Sequence, residues 1–234
     1  MFSLILAAAS LTSVASQTVQ YYDPQQNGGS MLTFQDEPLN IIISALSSPD
    51  VLTDRGIINY GAALGYGDDC LGIHLGGPQA ANLGDGNGYV NQTQMEVGLE
   101  QISTNLSTSQ DYSQREDYGN YAIGTCLETL IGGNHYRVFR QNGSLANSGA
   151  LFLAASTEQP IVDSHNIIPN GYNLGRDQVV AEATAGVISF SGAEYTTTVE
   201  YVSGLLPPGS EGINHNISID GMTAIFTVTA GTVS

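Results

Sequence analysis

The spacing of hydrophobic and polar positions changes period several times along the chain. Residues 39–44 (LNIIIS) form a β-branched run that predicts a buried strand. Pro49 follows Ser47 and Ser48 and opens a stretch where Leu52, Ile57, Ile58, Ala62, Ala63 and Leu64 keep helical spacing, closed by the glycines of 65–67. Residues 70–75 (CLGIHL) read as a second strand, which gives a βαβ-type start. Shorter strands are expected at 30–34 and 89–94, the latter after a Gly- and Asn-rich loop at 76–88. Residues 135–141 (HYRVFRQ) alternate with period two, so His135, Arg137 and Phe139 share one face and Tyr136, Val138 and Arg140 the other. They are expected to pair with 150–155 (ALFLAA) as a hairpin through the turn at 142–149. A second helix is expected at 174–185 with Val179 and Val180 inward, and a strand pair at 188–201 around Ser191-Gly192. The segment 216–228 (NISIDGMTAIFTV) reads as a closing hairpin on Asp220-Gly221, a favoured two-residue turn. Strands outnumber helices, which predicts an α+β fold: one domain with a mostly antiparallel mixed sheet and two packed helices.

The ends and the polar stretches set the domain limits. Residues 2–15 are apolar or small and uncharged, and small residues follow, so 1–16 is expected to be a cleaved signal peptide. Residues 17–37 form a polar lead-in and 38–234 the domain, with a surface insertion near 96–120 where the chain is polar. No later stretch is apolar enough for the roughly 20 residues a spanning helix needs, so no membrane insertion is expected.

Composition narrows the partners. The chain carries 22 Asp and Glu against five Arg and no Lys, a net charge of −17, which repels nucleic acid and anionic lipid. Cys70 and Cys126 are expected to form a disulfide in an oxidising, extracellular compartment. Sequons at Asn91, Asn105, Asn142 and Asn216 are candidate glycosylation sites of an exported chain.

Motifs for a specific chemistry are scarce. The loop 84–88 lacks the Lys and the helix of a phosphate loop, and its calcium reading through Asp85, Asn87 and Glu96 fails at Tyr89 and Val90. His74, His135, His165 and His215 show no zinc spacing, no nucleophile elbow is present, and no cofactor motif is read. The scarce arginines stand out. Arg137 and Arg176, beside His135, His165 and Asp177, make a candidate polar cluster, either a clamp for an anion or a set of structural ion pairs.

The segments NHYRVFRQ, SGALFLAAS, SHNIIPNGYNLGRDQVV and SIDGMTAIFTV together resemble the C-terminal domain of LssY-type proteins, over residues 38–230. The resemblance rests on His135, Arg137, His165, Arg176, Asp177, Asp220 and Gly221, and the chain is also similar to secreted fungal proteins. It implies the α+β fold and the polar cluster, and it implies no reaction. Three roles are therefore expected to compete: a secreted binding or surface-associated module for a small anionic or carbohydrate ligand, a hydrolase-like enzyme with a His/Arg-lined cleft, and a structural extracellular protein.

Overall fold

The computed structural model describes residues 19–27, 32–33, 37–67, 70, 80–81, 83–84, 113–121 and 123–233. In chain order these form α1 (Pro24–Asn27), β1 (Leu32–Thr33), β2 (Ile41–Ile43), α2 (Asp54–Leu64), β3 (Tyr66–Gly67), β4 (Ala80–Ala81), β5 (Ser113–Glu116), α3 (Gly124–Ile131), β6 (Gly133–Asn142), β7 (Asn147–Glu158), α4 (Gly171–Ala183), β8 (Ile188–Phe190), β9 (Ala193–Ser203) and β10 (Met222–Thr232). Eight strands build one sheet in the order β3-β5-β6-β7-β2-β10-β9-β8. Every neighbouring pair in it is antiparallel except β2 with β10. The fold is α+β with a mixed sheet and three helices of eight residues or more, one more than the two expected.

Both faces of the sheet are covered, which is why Ile41, Ile42 and Ile43 are all buried despite alternating sides. On one face α2 and α4 pack Ile57, Leu64, Val179 and Ala183 onto Ile41, Ile43, Tyr136, Val138, Leu153 and Phe226. On the other, Ile42, Phe139, Phe152, Ala154 and Ile225 pack with Leu39 and Leu83. Alternation along β6 thus sends His135 and Arg137 to the face of Phe139, and Tyr136 and Val138 to the helical face, as the period of two requires.

Several local expectations are corrected. The first long helix starts at Asp54, because Thr53 accepts from the Gly56 N–H while residues 49–52 form turns; Gly65, at φ 93°, closes it. The next strand along is Tyr66–Gly67. It runs parallel to β2 with three strands between them, whereas the second strand of the expected βαβ start, 70–75, lies outside the described residues apart from Cys70. Residues 113–116, given to the surface insertion because they are polar, form β5 between β3 and β6. Asp220-Gly221 turns no hairpin. The edges of β10 are taken by β9 and β2, and Asp220 instead accepts from Arg176. The β6–β7 hairpin and the β8–β9 pair stand as expected, the latter with Ser191 at φ 51° and Gly192 at φ 82° in its two-residue turn. The strands expected at 70–75 and 89–94, the signal peptide and the rest of the insertion lie outside the described residues, apart from Cys70 and residues 117–120.

Helix α3 was not anticipated, and its sides are reversed. Glu128 is fully buried, whereas Ile123, Leu127, Leu130 and Ile131 are exposed. Cys126 on this helix is disulfide-bonded to Cys70. Among the described residues no helix is long and apolar enough to cross a membrane.

Candidate functional site

Register brings a polar group together at the end of the second face. Across β5, β6 and β7, Arg115 stands opposite His135 and His135 opposite Ser156, while Arg137 lies two positions along β6 and Glu158 two along β7. The Arg115 Nη1 donates to Glu128 at 3.0 Å and to Glu158 at 3.2 Å. The Arg137 Nη1 contacts Glu37 at 3.3 Å and His135 Nε2 at 3.0 Å. The loop after β7 adds His165, whose Nδ1 is 3.4 Å from Glu158. That contact lacks hydrogen-bond geometry, and the atom stays unpartnered. Tyr172, at the start of α4, and Asn214 complete the surroundings of Glu37.

The protonation pattern follows from donors and burial. A guanidinium only donates, so His135 Nε2 accepts from Arg137 and the neutral ring carries its proton on Nδ1. Burial holds the imidazole well below the usual histidine range, and Arg137, Arg115 and His165 push the same way. The network then sets two guanidinium groups against the three carboxyls Glu37, Glu128 and Glu158. Burial raises the pKa of Glu37 above the ordinary carboxylate value despite Arg137 beside it. His135 Nδ1, Arg137 Nε, His165 Nδ1 and the Tyr172 hydroxyl are buried and have no hydrogen-bond partner.

This geometry weighs against two chemistries. In a Ser-His-acid triad the imidazole bridges nucleophile and acid through different nitrogens. Here Ser156 and Glu158 both approach His135 Nε2, each at 3.5 Å, and Ser156 is buried. His135, His165 and Glu158 are also a set of two imidazoles and a carboxylate, but Arg137 and Arg115 already touch the atoms a cation would use. Among the described residues no group of three His, Cys, Asp or Glu has the arrangement of a metal site.

The candidates of the sequence fall into two groups. His135, Arg137 and His165 gather around Glu158. Arg176 and Asp177 do not join them. Arg176, buried on α4, donates to both oxygens of Asp220 at 2.7 and 2.8 Å and to the Met222 carbonyl, and its guanidinium stands 5.3 Å from the Tyr201 ring centroid. Burial disfavours its charge, but the hydrogen bonds to Asp220 and Asp177 outweigh it and raise its pKa. This pair ties α4 to the start of β10, so a clamp formed jointly by Arg137 and Arg176 is absent. Arg115, Glu37, Glu128, Glu158 and Ser156 were missed. Four of them are ordinary polar residues at the margins of apolar runs, and Arg115 sits in a polar stretch. His74, Asn91 and Asn105 lie outside the described residues, whereas Asn142 and Asn216 are exposed.

Beside the network lies an open groove of about 520 Å³, walled by Asn166, Ile167, Pro169 and Asn170 on one loop and by residues 215–218 on the other. His215 and Asn214 link it to Glu37. His165 and Asn170 on the first loop, and His215 and Asn216 on the second, have positive φ between 51° and 62°, a dense set of left-handed non-glycine residues. Comparison with family models, curated proteins and solved structures finds no match to this chain.

Proposed function

We propose that this chain is a secreted, glycosylated binding module that holds a hydroxyl-rich, sugar-like ligand in the groove between residues 166–170 and 215–218. The groove itself carries the reading. Its volume is in the range of small-molecule sites, and its walls combine amide, hydroxyl and imidazole groups with Ile167, Pro169 and Ile217. Such walls suit a neutral polyol better than an anion, because Arg115 and Arg137 are engaged with carboxylates. Export is supported by the apolar leader, the Cys70–Cys126 disulfide and the exposure of Asn142 and Asn216. The resemblance to the C-terminal domain of LssY-type proteins enters as part of the same proposal.

Binding of a panel of neutral and acidic oligosaccharides to protein that carries no glycan at Asn216 tests it. Asn170→Gly and His215→Gly, which remove the side chains and keep the left-handed backbone, are expected to weaken the best neutral ligand at least tenfold, about 1.4 kcal/mol, with the melting temperature nearly unchanged. Unaltered affinity in both variants, or binding by the panel's acids alone, overturns the reading.

A further inference from the structure

The groove has an unusual wall. Asn216, Ile217 and Ser218, all three of which line it, are themselves a glycosylation sequon, Asn-Ile-Ser. Asn142, the other described sequon, sits at the exposed end of β6 and is not part of these walls. We infer that the groove is filled by the chain's own N-linked glycan at Asn216, so that occupancy of this sequon decides whether the groove is open to other sugars. The inference rests on the sugar-binding reading of the groove.

Position, chemistry and tethering support it. Asn216 is exposed and stands at φ 55° directly after His215, also at φ 55°. These two left-handed residues turn the segment at the groove's rim. Across the opening stand the amides of Asn166 and Asn170, with Ile167 and Pro169 between them. Amide groups match the hydroxyls of N-acetylglucosamine, and the aliphatic side chains match its acetamido methyl and the less polar ring face. Attachment also removes the need for tight binding. A tethered sugar meets the groove at an effective concentration on the order of millimolar, so an intrinsic affinity in that range fills it.

The modification itself is an ordinary transfer. The Asn216 Nδ2 gains a bond to C1 of N-acetylglucosamine, the C1–O bond to a lipid-linked diphosphate donor breaks, and the amide gives up one proton. The lipid diphosphate leaves. Oligosaccharide and donor belong to the export route, and no oxidant or reductant is involved.

The test compares three forms secreted from eukaryotic cells: the native chain, Ser218→Ala, which removes the sequon and keeps Asn216, and Ser218→Thr, which keeps the sequon. Peptide mass measures occupancy at Asn216, amide hydrogen exchange measures protection of residues 166–170, and titration with N,N′-diacetylchitobiose measures access. The expected result is a glycan on the native and Ser218→Thr proteins, with exchange at 166–170 about tenfold faster in Ser218→Ala. Only the Ser218→Ala form is then expected to bind the free disaccharide. Absence of a glycan at Asn216, or equal exchange in all three forms, overturns the inference. Faster exchange in Ser218→Ala without binding of any free sugar upholds the docked glycan and sinks the binding-module reading instead.

Discussion

Arg115 is the residue on which the buried network depends. One of its nitrogens serves both Glu128, which is fully buried, and Glu158, which also faces His135 and His165. Removing it leaves two carboxylates in a site with little water. Replacement by Met, similar in length and uncharged, is expected to cost about 3–5 kcal/mol, the range for breaking a buried ion pair from one side. Urea unfolding at pH 7 measures this directly. Combining Arg115→Met with Glu128→Leu and Glu158→Gln is expected to recover much of the loss, since a buried charge set replaced as a whole is often neutral. Loss of the same size in the triple variant would show that packing around the stem of Arg115, rather than its charge, is what matters. Arg137 is in a different position. It touches Glu37 through one nitrogen, and Glu37 can take a proton, so its removal disturbs less charge.

Helix α3 carries the contrast to element scale. Its large apolar residues face outward, and it is held by the Glu128–Arg115 pair, by the disulfide at Cys126 and by Gly124, where an added Cβ would run into the Asp117 carbonyl. Leu130→Ala is therefore expected to change stability by no more than about 0.5 kcal/mol, the range for exposed positions. Glu128→Gln is expected to cost several times more, because it leaves Arg115 short of a buried partner. Chemical unfolding of the two variants side by side checks this inversion. On α4, Gly175 faces the backbone of Ser156, and an added methyl would come within 2.6 Å of its Cα. Gly175→Ala is expected to push α4 off β7 and lower the melting temperature by several degrees. The same two helices show what was legible in the chain. Helix α4 was readable because Val179 and Ala183 face the core, so burial follows its pattern. Helix α3 was not, because its buried residues are Gly124, Thr125 and Glu128, which carry no apolar periodic signal. The alternation of HYRVFRQ correctly placed His135 with Arg137, since a strand's period is fixed by geometry. Their association with Glu158 depends on register with β7, and the separation of Arg176 depends on where α4 crosses the sheet. Neither is written in local spacing.

At the scale of the whole molecule, the buried carboxyls and the buried histidine compete in setting the response to pH. Glu182, on α4, is pushed up to about 7, chiefly by burial, against 4.5 for an ordinary glutamate. Folded protein therefore keeps this proton through a window in which unfolded chain has lost it, and stability falls as pH rises from 4.5 to about 7. Glu37, raised by burial, works in the same direction. His135 works in the opposite one. Its folded pKa lies well below 6.5, so unfolded chain binds the extra proton below pH 6.5 and stability rises with pH up to that point. Asp220 is held below 3.8 by its hydrogen bonds from Arg176, and its contribution is lost only as the pH falls through that lowered value. Between pH 4.5 and 6.5 the rise from His135 offsets part of the fall from the carboxyls, so the slope these groups give is no steeper than about one proton, 1.4 kcal/mol per pH unit. Above 6.5 nothing in this set opposes the fall. Self-repulsion adds to the trend, because the net charge of −17 at pH 7 vanishes near the isoelectric point of about 4.1. The stability maximum is thus expected between pH 4 and 5, an acidic optimum for an acidic chain. Urea midpoints from pH 3.5 to 8 at constant ionic strength measure the curve. Glu182→Gln should match the native chain below pH 4.5 and exceed it above pH 7, while His135→Gln should steepen the decline between 4.5 and 6.5. A maximum at or above pH 7 in the native chain would mean that the carboxyls of Glu37 and Glu182 give up their protons in the folded state as readily as in the unfolded one.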